Sequence, residues 1–163
     1  MQNYIIGIVE YFDDEVLYFR NQDQGYKINI LTKDQKHYLK NETVKIFIAS
    51  QTNEFVQTWI GFISRAERDI FLELLNVKTI GLKTASLILN TYDSNQILEI
   101  VQNYDLDRLG KIKGLGSVGC KLIIEHLNKV YFENQLSIKK KKVMESLIKL
   151  GLILKWFITN LIK

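Results

Sequence analysis

Proline is absent from this sequence, and cysteine occurs once, as Cys120. A single cysteine excludes a disulfide framework, and with only two histidines in the chain no metal site is expected. No apolar run reaches the roughly 18 residues that cross a membrane. The first residues also lack the basic and apolar regions of a secretory leader. The sequence therefore predicts a cytoplasmic, reduced protein that needs no cofactor.

The composition is that of a folded protein with an uneven distribution of charge. The 163 residues are 47% hydrophobic and 25% charged, which excludes a disordered tail. The net charge is +4, yet residues 134–163 alone hold seven lysines and one acid, Glu145. Two shorter stretches, 76–92 and 108–124, contain basic residues and no acid. Such patches neutralise phosphate charge and indicate contact with nucleic acid.

The first 63 residues follow the period of β-strands, with β-branched and aromatic residues in alternation. The predicted strands are 4–9, 16–21, 26–31, 43–50 and 56–62. A short polar helical turn near Lys33–Tyr38 separates the third strand from the fourth. This order predicts an OB-type barrel over residues 1–63, and a small sandwich of another topology would show a similar pattern.

From Ser64 onward the period is helical, and Ser64 with Glu67 predicts a capping box. Residues 64–133 are therefore predicted as an all-α domain. Residues 134–142 are polar and basic without an apolar face, which predicts a flexible linker. Residues 143–163 are predicted as a short helical C-terminal domain whose first helix ends at Gly151. The predicted fold class is α+β with several domains.

Two segments about 35 residues apart share one design. Each leaves a short helix, makes a tight turn with an apolar residue before a glycine, and enters a new helix. Glycine allows close approach of the backbone, and a helix N-terminus offers N–H groups and a positive dipole end to a phosphate. This is the helix-hairpin-helix arrangement, which contacts the DNA backbone without reading bases. The candidate DNA-binding residues are Lys78, Thr79, Ile80, Gly81, Leu82, Lys83 and Thr84, then Lys113, Gly114, Leu115, Gly116, Ser117, Val118, Gly119 and Lys121.

The sequence resembles the RuvA family, the DNA-binding subunits of the bacterial machine that moves Holliday junctions in recombination and repair. The resemblance covers residues 1 to about 133 and rests on Tyr4–Gly7, Ile60–Phe62, the stretch 64–86 and the stretch 109–127. It implies a homotetramer, or an octamer of two stacked tetramers, that holds a four-way junction open. It also implies two protein partners, a separate RuvB-type ATPase motor and a junction resolvase.

The resemblance implies two further sites and shows some departures. The family's acidic pin of two adjacent carboxylates is represented here by Glu54 alone. The start of the domain that docks on the motor corresponds to Leu147, Ile148 and Leu150. Thr79 stands where the family has glycine, and Ser117 and Val118 stand where it has lysines.

Two alternatives belong to other classes. A helix-hairpin-helix glycosylase would place a catalytic aspartate after the second hairpin, but residues 122–137 hold Glu133 and no aspartate. A single-strand-binding protein would use the barrel, with Trp59 as a stacking residue. No P-loop of the form GxxxxGK[ST] is present. The chain is therefore predicted to be non-catalytic, with ATP hydrolysis on the motor chain.

Overall fold

The N-terminal strands close into a barrel in a computed structural model that describes residues 3–52 and 57–161. Neighbouring strands follow the order β1-β2-β3-β5-β4, with β4 paired back to β1. All pairs are antiparallel except β3 with β5. The strands are β1 (Tyr4–Asp13), β2 (Val16–Asn21), β3 (Gln24–Ile30), β4 (Thr43–Thr52) and β5 (Gln57–Phe62). A 3-10 helix at Thr32–His37 connects β3 to β4.

Closure of the barrel depends on alternate side chains that point inward and on glycines where strands approach closely, such as Gly61. The interior is filled by Ile5, Val9, Leu17, Phe19, Ile28, Ile30, Ile46 and Ile48, all buried. At Gly61 an added Cβ would lie 2.7 Å from Ile46 Cγ2 and 2.8 Å from Ile28 Cγ2. These distances are shorter than van der Waals contact, so only glycine lets β5 pass this close to the neighbouring strands.

The rest of the chain is helical. The helices are α1 (Arg65–Leu75), α2 (Leu82–Thr91), α3 (Ser94–Gln102), α4 (Leu106–Gly110), α5 (Ser117–Asn128) and α6 (Asn134–Leu161), with a π-helical turn at Lys129–Glu133 before α6. Ser64 caps α1 by accepting a hydrogen bond from the backbone N–H of Glu67, at 3.2 Å. The Glu67 side chain makes an ion pair with Lys33 across the interface to the barrel. Across the described ranges, none of the helices combines the length and apolarity needed to cross a membrane.

One hydrophobic core joins the end of the barrel to the helices. Leu31, Ala49 and Phe62 from the barrel belong to the same buried cluster as the inner faces of α1, α2, α3 and α5. The rings of Phe62 and Phe71 lie with centroids 5.0 Å apart, which places α1 directly on β5. Because this core is continuous, the helical unit has a fixed orientation relative to the barrel.

The C-terminal region differs from the prediction. Residues 134–142, predicted as a linker, form the first part of α6, and Gly151 lies within the same helix instead of ending it. Lysine is a good helix former, and a single glycine costs about 1 kcal/mol in a helix without forcing it to stop. Residues 134–142 have no apolar face, but they follow directly after the helical turn at Lys129–Glu133, so the helix continues through them. The domain boundaries at 63, 133 and 142 stay predictions.

A cluster of buried polar groups lies between the 3-10 helix and α1. Asp34 is only 2% exposed, and Tyr38 and Glu67 are also buried. Lys33 Nζ lies 2.5 Å from Glu67 Oε1. Asp34 Oδ2, Tyr38 Oη and Glu67 Oε2 have no hydrogen-bonding partner among the described residues. Burial and, to a smaller extent, the nearby Glu67 carboxylate together raise the pKa of Asp34 from 3.8 to about 6.

We expect Asp34→Asn to stabilise the protein at neutral pH. Because the pKa of Asp34 is higher in the folded than in the unfolded chain, the folded state favours the protonated acid and loses stability as the pH rises from about 4 to above 6. The variant should therefore raise the free energy of unfolding by about 2 kcal/mol at about pH 7.5 and by little at about pH 4. Urea unfolding across this range measures it, with the exposed Asp23→Asn as control. A gain that did not depend on pH would contradict the assignment.

Candidate nucleic-acid interface

The two predicted hairpins have the same backbone structure. The first runs from α1 through residues 76–81 into α2, and the second runs from α4 through residues 111–116 into α5. In each turn the apolar residue donates its N–H to the carbonyl three positions earlier. These bonds join Ile80 to Val77 and Leu115 to Ile112, both at 3.1 Å. The chain therefore builds one motif twice.

Each turn contains one residue in the left-handed region of backbone conformation. Gly114 has φ +83°, and Thr79, at the equivalent position, has φ +78°. Glycine adopts this conformation without cost, whereas a β-branched residue is strained there by roughly 1–2 kcal/mol. The substitution of glycine by threonine thus leaves the first hairpin with the same geometry but at a cost in stability.

Both helices that follow the turns begin at a glycine without a side-chain cap. Gly81 precedes α2 and Gly116 precedes α5, and in neither case does a side chain bond to the helix N-terminus. A Cβ added at either glycine would meet no atom within 4 Å. By contrast, α1, α3 and α4 are capped by Ser64, Asp93 and Asp105. The starts of α2 and α5 thus combine open space beside an exposed glycine with N–H groups that no side chain caps, so an anion can approach them.

The candidate residues fall into an exposed set and a buried set. The exposed ones are Lys78, Thr79, Gly81, Lys83, Lys113, Gly114, Gly116, Ser117, Val118 and Lys121, with Leu82 and Thr84 half-buried. Ile80, Leu115 and Gly119 are buried. Ile80 and Leu115 anchor the turns in the core, and a Cβ at Gly119 would lie 3.1 Å from Leu115 Cδ1. These three positions can shape the interface but cannot offer a side chain to a ligand.

The charges at the interface favour an anionic ligand. The first turns of α2 and α5 contain no acidic residue. Within the described ranges Lys78, Lys83 and Lys113 form no ion pair, whereas Lys121 lies 3.9 Å from Glu125. Lysines without an acidic neighbour add attraction to phosphate that does not depend on base sequence.

Two contacts that the sequence patterns did not reveal hold the hairpins together. His126 Nε2 on α5 lies 2.9 Å from Glu73 Oε2 on α1. The Tyr92 hydroxyl, at the end of α2, donates to the Arg108 carbonyl of α4 at 2.7 Å. Neither pair follows from local spacing, because the partners are far apart in the chain. Their presence keeps both helix starts in one rigid unit.

The resemblance also implied two other sites. Glu54 lies outside the described residues. Leu147, Ile148 and Leu150 are exposed on α6. In the described part of the chain no group of three or more His, Cys, Asp or Glu side chains is placed to hold a metal ion.

A barrel joined to paired hairpins of this geometry defines a DNA-backbone-binding protein of the tandem helix-hairpin-helix class. Residues 71–129 match the family described as "SAM-like Helix-hairpin-helix tandem". Over 93% of its length the chain is 37% identical to a protein of Mycoplasma mycoides and 38% identical to one of Mycoplasma capricolum, covering 81% of each. A protein of Thermodesulfovibrio yellowstonii is 28% identical over 93% of the chain and 80% of the relative. All three are named "Holliday junction branch migration complex subunit RuvA".

The chain belongs to the RuvA family. The resemblance found in the sequence is confirmed, and so is the fold class of an OB-type barrel followed by two helix-hairpin-helix motifs. The alternative of a small sandwich is wrong because the strands close into a barrel.

We expect Thr79→Gly to stabilise the protein. The change removes the strain of a β-branched residue at positive φ and adds some backbone entropy to the unfolded chain, for a net gain of about 0.5–1 kcal/mol. Urea unfolding measures the gain. The matched change Gly114→Thr places the strain in the second hairpin and should lower stability by about as much or more. If Thr79→Gly destabilised the chain, the left-handed conformation at this residue would be in doubt.

Proposed function

We propose that this chain is the subunit of a Holliday-junction branch migration complex that binds the four-way junction. It holds DNA by its phosphates through the two hairpins. One observation carries the proposal: of the helices α1 to α5, only the two that leave hairpin turns begin at an exposed glycine with no side-chain cap. Each presents its N–H groups and positive dipole end to solvent, which is the arrangement that seats a phosphate.

The proposed contacts divide between backbone and side chains. Backbone N–H groups at residues 81–84 and 116–118 bind phosphate oxygens, with the Thr84 and Ser117 hydroxyls near them. Lys78 and Lys113, at equivalent places in the two turns, add charge, and Lys83 and Lys121 extend the basic surface. None of these groups reads a base edge, so we expect junctions of any sequence to bind alike.

The assembly and its partners complete the proposal. Four copies, or two stacked sets of four, surround the junction, and Glu54 of each copy repels phosphate near the crossover. The chain itself is non-catalytic and cytoplasmic. A separate RuvB-type ATPase drives branch migration and docks near Leu147, Ile148 and Leu150, and a junction resolvase is a further partner.

The single-strand-binding alternative has less support from the barrel surface. Trp59, its candidate stacking residue, is half-buried, and its ring stacks on Tyr26 with centroids 5.2 Å apart. One face of the indole is therefore already covered, and Trp59 also packs against the core of the barrel, which reduces the aromatic surface that a base could stack on.

Competition binding separates the candidate functions. A labelled four-way junction is bound at fixed salt, and unlabelled junction, duplex or single strand of the same sequence displaces it. We expect the junction to compete far better than the duplex, and the single strand to compete least. Preference for the single strand would contradict the proposal and favour a barrel-based site.

We expect Gly81→Asp and Gly116→Asp to weaken junction binding without loss of stability. Aspartate is a better N-cap than glycine by a few tenths of a kcal/mol, so the fold should gain slightly. The new carboxylate occupies the helix N-terminus and repels phosphate. Charge-assisted hydrogen bonds are worth about 1.5–3 kcal/mol, so each change should lower affinity about tenfold or more.

Two controls accompany these variants. Gly81→Asn and Gly116→Asn cap the helices without adding charge, and should weaken binding less. Gly25→Asp places the same charge at another exposed glycine with open space around it, on the barrel, and should leave binding unchanged. Unchanged affinity in both hairpin aspartate variants would show that phosphates are not held at these helix starts.

A further inference from the structure

The two hairpins can be compared position by position because they share one backbone structure. Thr79 and Gly114 are their left-handed residues, and Gly81 and Gly116 are their helix starts. The two pairs have the same offset along the chain, so each residue of one hairpin has a counterpart in the other. Since the backbones match, a difference in phosphate binding between the hairpins comes from their side chains.

The clearest difference lies in the first turn of the two helices. Lys83 occupies this turn in α2, and its counterpart in α5 is Val118. Val118 is 72% exposed, so its side chain lies in solvent close to the start of α5. An ammonium group at this place attracts phosphate, whereas two methyl groups do not. The second hairpin therefore lacks a charge where the first hairpin has one.

Two other lysines of the second hairpin lie near carboxylates. Lys121 Nζ lies 3.9 Å from Glu125 Oε1. Lys111 lines the same groove as Asp107, between α4 and the start of α5. A neighbouring carboxylate weakens the attraction of a lysine for phosphate. Neither lysine therefore replaces the charge that Lys83 gives to the first hairpin.

The remaining side chains leave the first hairpin with the stronger attraction. Lys78 and Lys83 form no ion pair within the described ranges, and Lys113 matches only the first of them. Hydroxyl groups do not offset the difference, because each first turn holds one, on Thr84 and on Ser117. The two hairpins therefore differ by one lysine that no other group replaces.

The extra side chain of Thr79 does not reverse this order. It occupies the turn of the first hairpin, where Gly114 has no side chain in the second. Coulomb attraction between an ammonium group and a phosphate falls only slowly with distance. A side chain at the turn therefore weakens the attraction less than the loss of a whole charge does.

We propose that the first hairpin carries the larger share of the affinity for DNA, and that the difference between Lys83 and Val118 sets this inequality. The inference rests on the phosphate binding of the proposed function and divides that binding between the hairpins. The first hairpin holds phosphate by backbone N–H groups and two lysines, and the second by backbone N–H groups and one. The second hairpin therefore releases its phosphate more readily when the junction moves.

Reciprocal substitutions in the full-length chain test the inequality. Lys83→Val gives the first hairpin the side chain of the second, and Val118→Lys does the reverse. Affinity for a four-way junction is measured at several salt concentrations, because its logarithm falls with that of the salt concentration by about 0.9 for each phosphate contact. Across four copies Lys83→Val should reduce this slope by roughly 3 to 4, and Val118→Lys should increase it by as much. Affinity should fall about tenfold or more in the first variant and rise about tenfold or more in the second.

The two substitutions combined give a variant of unchanged net charge. Lys83→Val with Val118→Lys should have nearly the affinity and salt dependence of the unaltered chain, because the two hairpins exchange roles. A loss as large as that of Lys83→Val alone would show that position 118 does not face phosphate, and would overturn the proposal. An unchanged slope in either single variant would overturn it as well.

Matched controls separate charge at the hairpins from other effects. Lys40→Val and Leu39→Lys make the same changes at exposed residues of the barrel and should change the slope far less. Lys83→Gln keeps the helix propensity of lysine and should act as Lys83→Val does, which distinguishes loss of charge from loss of stability. Equal effects at the barrel and at the hairpins would show that net charge determines the affinity, against the proposal.

The aspartate variants separate this inference from the proposed function. Gly81→Asp should lower junction affinity more than Gly116→Asp, because its carboxylate also offsets the charge of Lys83. If both lowered affinity equally and the reciprocal substitutions had no effect, phosphate binding at the helix starts would stand and the inequality would be wrong. If neither lowered affinity, the helix starts would not hold phosphate and both proposals would fail.

Discussion

Each hairpin depends on one backbone constraint: the chain must reverse within a few residues while an apolar side chain remains in the core. A left-handed residue at Thr79 or Gly114 makes the reversal, and the buried Ile80 or Leu115 follows it. The next residue is then forced outward as the start of a new helix. The exposed, uncapped N-terminus is therefore a consequence of the turn, and the DNA-binding surface follows from packing in the core.

The two helix starts can act together only because the unit that carries them is rigid. A single core joins both hairpins to the end of the barrel, and the hydrogen-bonding contact of His126 with Glu73 links α5 to α1. Phosphates along a DNA backbone have fixed spacing, so binding at two points gains affinity only if the two sites keep a fixed separation. The buried polar cluster at Asp34, by contrast, costs stability at neutral pH without serving this geometry.

Sequence patterns that span a few residues predicted much of the fold. They did not predict side-chain contacts between residues that are far apart in the chain. Strand alternation and the turn-glycine-helix pattern act over a few residues, so the barrel and both hairpins could be predicted. The interaction of Lys33 with Glu67 joins the barrel to α1 and leaves no local signal. Gly119 matched the motif, yet it packs under Leu115. The lack of an apolar face at 134–142 predicts a linker, although the helix propensity of its lysines allows α6 to continue through it.

The distribution of charge explains why the affinity for DNA must depend on individual groups at the interface and not on the net charge of the helical region. Residues 65–133 carry nine basic and nine acidic side chains, so bulk charge gives this unit no net attraction to DNA. Attraction must come from helix dipoles, backbone N–H groups and the few lysines without acidic neighbours. The surplus charge lies in residues 134–163, at +6 per copy. This charge lies outside the two hairpins, so it raises the rate of encounter with DNA while the hairpins determine which structure is held.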